Sequence, residues 1–489
     1  MTTTRLISSR GFVTAARTYD EALSKLTALP SNQSAKSLFE PGAAKKIHGR
    51  ALKEMTDWLA RAGYQPSDLS RMRTVHVAGS KGKGTVCALV TAMLLRSGGL
   101  SGPVGTYTSP HLVTPRERIA VDGSALSRQD FADAVFDLDD RLAAFGPERP
   151  FFFRFMTLLA WHVFLSRQIQ HVVMECGIGG EHDATNILPP EAVSATVITQ
   201  LDHDHVAMLG DSLESIAWHK AGIMKAGVRC FALLPDDAAA AEVLRARAEE
   251  RRVAGGEMVE LNDDLLRAWP DVDDEDTHQV PSTNRVRKAN QALAALAVRE
   301  HLGLTRPNET PLDALSSLTP TLLQGMRRCR LRGRREVLFA RETEWLLDVA
   351  HTPLSIEAVG SWAATEGHSL VLIFGVQPDR DPEELLRALH RGMRGMQSGR
   401  SAFVTQVFFV GVGDKVDESI ERARDAMRQL QRNCSTSSGL DVEYAIMYAE
   451  RSVEFLSEVE EQPPQKVLVT GSMRLVGDAL RILDPGMPS

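Results

Sequence analysis

The chain of 489 residues is too long for one compact core, and at roughly 150 residues per domain it suggests two or three domains. Its 43% hydrophobic and 24% charged residues are typical of globular proteins, which excludes the disordered, collagen-like and coiled-coil classes. The net charge of −7 argues against nucleic acid as a partner, and no apolar stretch reaches the roughly 18 residues of a membrane span.

Two features bear on the cellular compartment. The N-terminal segment contains Arg5, Arg10 and Arg17, with no acidic residue before Asp20. This bias is typical of a mitochondrial transit peptide over residues 1–18, although a disordered tail of that length has it equally often. The five cysteines are scattered and form no C-x-x-C pair, which favours a reducing compartment. We therefore expect the protein in the cytoplasm, the mitochondrion or both.

Short apolar runs recur along the chain, each followed by a polar or glycine-rich turn and then a helical pattern. Because the runs are apolar throughout rather than alternating, they predict strands that are covered on both faces, as in a parallel sheet. The runs lie at 74–77, 171–174, 195–198, 345–347, 370–374, 407–410 and 466–469. The fold class is therefore α/β.

A basic run at 327–335 separates the helical pattern before it from a fresh set of strands, so we place a domain boundary near residue 325. Residues 19–325 are predicted to form a large N-terminal domain with a mostly parallel sheet around a phosphate loop of the P-loop type. Residues 326–489 are predicted to form a smaller, Rossmann-like α/β domain. Surface loops are expected at 271–276 and 396–401.

The clearest functional motif begins in the first apolar run. The run leads into Gly79, Gly82 and Gly84, and apolar residues at helical spacing follow. A strand, loop and helix of this kind binds phosphate through backbone N–H groups and the helix N-terminus, and Lys83 adds a positive charge. A glycine-rich turn without a ligand would have the same glycines. The glycine between Lys83 and Thr85 departs from the ordinary Walker spacing.

Acidic residues and histidines follow two further strands. Glu175 ends one apolar run, and the segment 202–205 (Asp-His-Asp-His) comes soon after the next. Because ligands gather at the carboxyl ends of parallel strands, Glu175 is placed to hold Mg²⁺ beside the phosphates, and segment 202–205 offers further metal ligands. Each has an ordinary alternative, an acid that caps a turn or a solvated turn.

Weaker candidates complete the set. Lys220 lies on a predicted helix, and its spacing alone predicts a solvent-facing lysine. Asp348 and His351 directly follow a strand of the second domain. Arg334 lies at the domain junction, from which an arginine could reach a γ-phosphate.

These motifs together resemble the folylpolyglutamate synthase branch of the Mur ligase superfamily, in its eukaryotic monofunctional type, over roughly residues 19–485. The matching segments, in chain order, are 79–85, 108–112, 116–119, 153–157, 175–180, 204–205, 219–223, 333–334, 348–351 and 469–472. So many motifs in the same order argue against chance agreement.

The resemblance implies a role for each matching side chain. The residues implied to bind ATP are Gly79, Gly82, Lys83, Gly84, Thr85, Asn290, Arg334 and Asp348. The implied Mg²⁺ ligands are Ser109, Glu175 and His205 for one ion and, for a second ion, Lys220, which matches a lysine that is carbamylated in this superfamily. The implied catalytic residues are Lys83, Lys220, Arg334, Asp348 and His351. The chain departs from the family at Val286-Arg287, usually a His-Gln pair, and at Asp202-His203, usually a small apolar pair.

The activity implied is ATP-dependent addition of L-glutamate to the γ-carboxylate of folate, tetrahydrofolate or their polyglutamates, through an acyl phosphate. ATP and Mg²⁺ would be required, with a monovalent cation as an optional addition, and a monomer acting on small molecules is expected. Two alternatives stay open. The departure at Val286-Arg287 leaves room for a related ligase that uses a different carboxylic acid. A nucleotide switch without ligase activity would not need the metal acids or the Asp348 and His351 pair.

Overall fold

The structure is a computed structural model. It describes residues 17–30, 43–272, 285–340, 343–366, 369–377, 380–394, 403–411, 421–426, 428, 443–447 and 466–485. The loop expected at 396–401, most of the loop expected at 271–276 and residues 1–16 of the N-terminal segment lie outside the described residues.

Within the described residues, fourteen strands form two sheets, one in each half of the chain. The strands of the first sheet are β1 (Arg73–Ala78), β2 (Val104–Tyr107), β3 (Ile119–Val121), β4 (Ser124–Ala125), β5 (His171–Glu175), β6 (Val193–Ile198), β7 (Cys230–Leu233) and β8 (Val259–Leu261). Those of the second are β9 (Glu336–Ala340), β10 (Thr343–Leu347), β11 (Ser369–Val376), β12 (Phe403–Gly411), β13 (Glu443–Met447) and β14 (Lys466–Thr470).

Parallel pairing dominates both sheets. The strand orders are β4-β3-β2-β5-β1-β6-β7-β8 and β13-β12-β11-β14-β10-β9. Among the described strands, antiparallel pairing is confined to the pairs β2–β3, β3–β4 and β9–β10, each towards one edge of its sheet. The predicted α/β class with a mostly parallel sheet in each half is confirmed.

Helices cover the sheets. Those of the first half are α1 (Tyr19–Thr27), α2 (Ala43–Arg61), α3 (Lys83–Arg96), α4 (Arg128–Ala143), α5 (Phe152–Ser166), α6 (Val206–Leu209), α7 (Leu213–Ala221), α8 (Ala238–Glu250), α9 (Asp263–Ala268), α10 (Arg285–His301), α11 (Pro311–Ser316) and α12 (Pro320–Arg327). The described helices of the second half include α13 (Pro353–Glu366), α14 (Pro382–Arg394) and α15 (Met473–Leu483), and residues 421–426 are also helical. In the described ranges, no helix combines the length and apolarity that crossing a bilayer requires.

The central position of β1 determines where the functional segments meet. Val75 and Val77 of β1 are fully buried, as expected for a strand with helices on both faces. β1 pairs in parallel with β5 on one side and with β6 on the other, so that Val77 lies opposite Glu175 and Ala78 opposite Ile198. The segments that leave these three strands therefore emerge side by side at one edge of the sheet.

The N-terminal helix is anchored to the first half of the chain. Thr18 and Glu21 form a capping box at the start of α1. Just before it, Arg17 Nη2 lies 2.5 Å from Asp140 Oδ2 and its guanidinium stacks over Phe136. Residues 17 and 18 thus belong to the folded structure.

The two halves of the chain meet at the segment after β2. A Cβ atom placed on Gly333 would lie 2.8 Å from Leu112 Cδ2, and one on Gly477 would lie 2.3 Å from the Leu112 carbonyl oxygen. Glycine at both positions lets the second half approach Leu112 closely. Helix α12, which packs on α3, ends at Arg327, and the second sheet begins at Glu336.

Candidate active site

The loop after β1 has the geometry of a phosphate loop. Gly79 and Gly82 have φ values of +148° and +90°, which L side chains rarely adopt. A Cβ atom at Gly79 would lie 1.8 Å from Thr199 Oγ1, and one at Gly82 would lie 2.5 Å from Asn290 Oδ1. Gly82 is the N-cap of α3 and has no side chain to cap the helix, so the N–H groups of its first turn point to the space above the loop. Thr85 lies half-buried in that turn.

Two lysines meet at one carbonyl of this loop. Lys83 Nζ lies 3.0 Å and Lys220 Nζ 2.9 Å from the Gly79 carbonyl oxygen, and both donate to it. Lys220 is only 2% exposed, so the solvent-facing position that its spacing predicts is wrong. Burial, with a further contribution from the charge of Lys83, lowers the pKa of Lys220 to about 7. Near neutral pH a large share of Lys220 is therefore a neutral amine, the form that reacts with carbon dioxide to give a carbamate.

The Glu175 carboxylate lies over the start of α3. Its Oε2 accepts a hydrogen bond of 3.0 Å from the Ser109 backbone N–H and would lie 3.6 Å from a Cβ atom at Gly84. Burial raises the pKa of Glu175 to about 7, against the opposing effects of Lys83, the Ser109 N–H and Arg334. A divalent cation beside this carboxylate would favour its ionised form.

The turn after β6 brings His205 towards the same loop. His205 has a left-handed backbone with φ of +53°, and its Nε2 lies 3.6 Å from Asp204 Oδ2. Burial lowers the pKa of His205, and the charges of Lys220 and Lys83 lower it further, which is the effect of nearby cations. In the described part of the chain, no three His, Cys, Asp or Glu side chains converge on one point.

The donor set present fits Mg²⁺ bound together with a nucleotide. Mg²⁺ in such sites takes one or two carboxylates and completes its shell with phosphate oxygens and water. Glu175, at the phosphate loop, supplies the carboxylate, and the Ser109 backbone N–H fixes its orientation. The Ser109 hydroxyl and the His205 imidazole stay predicted ligands.

Asn290 on α10 faces the loop from above. Its side chain is 4% exposed, adjoins Gly82, and its Oδ1 has no hydrogen-bond partner among the described residues. A buried acceptor without a partner is costly, so a ligand that donates a hydrogen bond here would stabilise the site. Arg287, one turn earlier at the departure from the family pattern, donates from Nη2 to the Val272 carbonyl at 2.7 Å. This contact holds the end of the segment after α9.

In the second half of the chain, Asp348 organises the turn that carries Arg334. Its Oδ2 accepts from the Arg335 N–H at 2.9 Å and its Oδ1 from the Ala350 N–H at 2.8 Å. Burial raises the pKa of Asp348 despite these hydrogen bonds. Asp348 is therefore engaged by backbone groups, while the Arg334 side chain is exposed. His351 is fixed by a hydrogen bond of 2.9 Å from its Nδ1 to the Val349 carbonyl, which leaves Nε2 as the acceptor nitrogen.

The structure thus brings most of the predicted residues to one place. Lys83, Lys220, Glu175, Ser109 and Asn290 surround the loop, with His205 beside them. Arg334 acts on this group from the other half of the chain, since its charge lowers the pKa of Glu175. Asp348 and His351 lie in the segment that follows β10 of the second sheet.

A cleft of about 520 Å³ between the two halves contains residues that the sequence interpretation did not assign. Ser472, the N-cap of α15, is fully buried, and within the described ranges its hydroxyl has no hydrogen-bond partner. The sequence signal that could have identified Ser472 is its position, in a Gly-Ser pair between a strand and a helix. The cleft is lined by His111, Leu112, Val113, Gln377, Ser472, Met473, Arg474, Asp478 and Arg481.

Comparison with known proteins gives matches that span nearly the whole chain. The chain is 32% identical to the probable folylpolyglutamate synthase of Schizosaccharomyces pombe, over 98% of this chain and 97% of that protein. It is 33% identical to the folylpolyglutamate synthase of Neurospora crassa, over 98% of this chain and 93% of that protein. No family model matches the chain.

Solved structures show the same fold. The folylpolyglutamate synthase from Thermotoga maritima superposes with a TM-score of 0.68 at 22% identity, covering 96% of this chain and 98% of that one. A bifunctional folylpolyglutamate synthase/dihydrofolate synthase with Mn, AMPPNP and L-glutamate bound superposes with a TM-score of 0.65 at 22% identity, covering 95% of this chain and 97% of that one.

Proposed function

The chain belongs to the folylpolyglutamate synthase family, and we propose that it is an ATP-dependent ligase that adds L-glutamate to the γ-carboxylate of tetrahydrofolate and its polyglutamates. The observation that carries this function at the level of the site is the convergence of Lys83, Lys220 and Glu175 on one phosphate loop. A nucleotide switch would need the loop alone.

The first step transfers the γ-phosphoryl group of ATP to the folate γ-carboxylate. A carboxylate oxygen attacks the γ-phosphorus, the bond to the bridging oxygen of ADP breaks, and an acyl phosphate forms. Lys83 and the N–H groups at the start of α3 hold the phosphates, and Arg334 approaches the transferring group from the second half of the chain. Mg²⁺, held by Glu175 with Ser109 and His205, would supply positive charge to the phosphate oxygens.

In the second step the amine of free glutamate attacks the acyl carbon, inorganic phosphate leaves and an amide forms. The amine loses one proton in this step. The His351 Nε2, free to accept because Nδ1 donates to Val349, is the candidate acceptor of that proton. The cleft between the two halves would hold the glutamate and exclude water, which would otherwise hydrolyse the acyl phosphate.

Product analysis tests this function. The protein is incubated with tetrahydrofolate, ATP, Mg²⁺ and isotope-labelled glutamate, and the folate products are analysed by mass spectrometry. We expect products that gain whole glutamyl residues, with one ADP formed for each. ADP release without glutamylated folate, or ligation of glutamate only to a different carboxylic acid offered in parallel, would contradict the assignment. The second outcome would favour the related ligase that the Val286-Arg287 departure left open.

We further propose that the protein is a monomer and that residues 1–16 direct part of it to mitochondria. One chain supplies both halves of the site, which supports the first proposal. Light scattering in solution tests it.

Arg17 and Thr18 belong to the fold, so removal of residues 1–16 would leave the cap of α1 in place. Fluorescent fusions with and without residues 1–16 test the second proposal, which predicts that only the longer form reaches mitochondria.

A further inference from the structure

The segment after β6 holds the phosphate loop at several points. The Ser80 and Lys81 N–H groups donate to the Gln200 carbonyl at 2.9 and 3.2 Å. Thr199 Oγ1 donates to the Lys81 carbonyl at 2.7 Å. The position of the loop backbone therefore depends on residues about 120 positions later in the chain.

Asp202 adds the side-chain part of this connection. Its carbonyl accepts from Ser80 Oγ at 2.8 Å, and its Oδ2 forms an ion pair with Lys81 Nζ. Its Oδ1 accepts from the His203 N–H at 2.8 Å, at the start of the turn that leads to His205. One carboxylate thus contacts both the phosphate loop and the turn of a metal-ligand candidate.

We propose that Asp202 is a positioning residue that couples the ATP loop to the His205 turn through Lys81. The inference rests on the proposed use of ATP and assigns a role to a residue at which the chain departs from its family pattern. A loop that is already fixed loses less conformational freedom when the nucleotide binds. The Lys81 and Asp202 side chains are 33% and 36% exposed, and an ion pair this exposed contributes little to global stability. The effect should therefore fall on nucleotide binding rather than on unfolding.

A double-mutant cycle on the full chain tests the coupling. Asp202→Asn keeps an acceptor for the His203 N–H and removes the charge that pairs with Lys81, and Lys81→Met removes the ammonium. We expect each change to raise the KM for MgATP and the Kd for a fluorescent ATP analogue about fivefold, with kcat within about twofold of wild type. The double variant should have a KM and a Kd no higher than those of the single variant that binds the nucleotide more weakly. Thermal unfolding midpoints should stay at the wild-type value.

Asp211→Asn is the matched control, since Asp211 is an exposed carboxylate nine residues further along the same segment, and it should change neither constant. Additive effects in the double variant would overturn the proposal. So would a raised KM in Lys81→Met together with wild-type behaviour of Asp202→Asn, which would mean that Lys81 contacts phosphate without Asp202. Direct nucleotide binding separates this test from the proposed function, because it does not depend on which acid is glutamylated.

Discussion

Lys220 and Glu175 have pKa values near neutrality for the same physical reason. Burial disfavours the charged form of each side chain. It therefore lowers the pKa of the lysine to about 7 and raises the pKa of the carboxyl to about 7. Their charges are therefore set by what binds between them. The anionic phosphates of ATP favour the cationic form of a nearby lysine, and a divalent cation favours the carboxylate. Ligand binding at this loop should thus be accompanied by proton uptake or release.

Lys83→Ala should abolish ligation and leave the fold intact. Lys83 Nζ is bonded only to loop carbonyls, of Gly79 and Ser80, among the described residues, so its loss removes no core contact. Loss of one charged contact at the transition state costs about 3 kcal/mol, a rate reduction of roughly a hundredfold or more. Turnover and circular dichroism on the same sample measure both. Near-normal turnover in a folded variant would remove Lys83 from the site.

Lys220→Met should remove a pH-dependent cost of folding. In the unfolded chain Lys220 is protonated below its ordinary pKa of 10.5, whereas in the folded chain it loses its proton above about 7. Between these values the unfolded state binds more protons, so wild-type stability rises with pH across this window. Below pH 7 the full penalty is present. We therefore expect the variant to be more stable than wild type at pH 7 and this advantage to shrink towards pH 9.5.

The measurement is the thermal unfolding midpoint of both proteins in carbon dioxide-free buffer, because carbamylation would change the charge of Lys220. Lys225→Met is a useful comparison, since burial also lowers the pKa of Lys225, to about 8. A constant difference between Lys220→Met and wild type from pH 7 to 9.5 would show that Lys220 keeps an ordinary pKa.

At the scale of elements, the sequence was most informative about features that depend on a single strand. The apolar runs predicted β1, β5, β6, β10, β11, β12 and β14, because strands covered on both faces have no polar side. Residues directly after these strands, such as Glu175, were therefore identified by position. The depth of Lys220 could not be predicted, since it results from packing of α7 against the loop after β5, where a Cβ atom at Gly180 would lie 2.8 Å from the Lys220 carbonyl oxygen.

The contacts of Asp202 and Asp348 were beyond sequence reasoning for a related reason. Asp202 meets Lys81 only because β6 lies beside β1, and such adjacency depends on the strand order of the whole sheet. Asp348 was expected to bind ATP and to act in catalysis, and the structure shows its carboxylate bonded to two backbone N–H groups. Side-chain type and position after a strand do not distinguish these two uses of an aspartate.

Asp348→Asn should disturb the turn that carries Arg334. An amide has one acceptor oxygen, so one of the two N–H groups would face an NH₂ donor instead. Leaving a buried donor unsatisfied costs about 1–3 kcal/mol, which should lower the free energy of unfolding by that amount. Turnover should fall as well, because Arg334 loses its fixed backbone. Chemical denaturation and steady-state kinetics measure the two effects. The control is Asp381→Asn, whose carboxylate forms an exposed ion pair with Arg422; equal effects of both variants would refute a special role for Asp348.

At the scale of the whole molecule, two sheets contribute to one site across a cleft. In the second sheet β14 lies between β10 and β11, so the segments that follow β10 and β14 emerge together, and the Gly471 N–H donates to the Ala350 carbonyl at 3.0 Å. This edge faces Leu112 of the first half through Gly333 and Gly477. Few side chains separate the two halves there, so small relative movements would change the distance between Arg334 and the phosphate loop.

Arg334→Lys tests whether this arrangement acts in catalysis. Arg334 is exposed and its charge lowers the pKa of Glu175, so its side chain is available to a ligand on the same side of the cleft as the phosphate loop. A planar guanidinium matches the spread charge of a transferring phosphoryl group better than an ammonium does. If the contact forms mainly in the transition state, the variant should lose turnover by about tenfold or more while the Kd for ATP changes little.

Solution scattering of the wild type with ATP, folate and glutamate analogues should also show a smaller radius of gyration than the free protein, since closure brings the halves together. A variant that changes only ATP affinity, together with unchanged scattering, would instead make Arg334 a static nucleotide-binding residue.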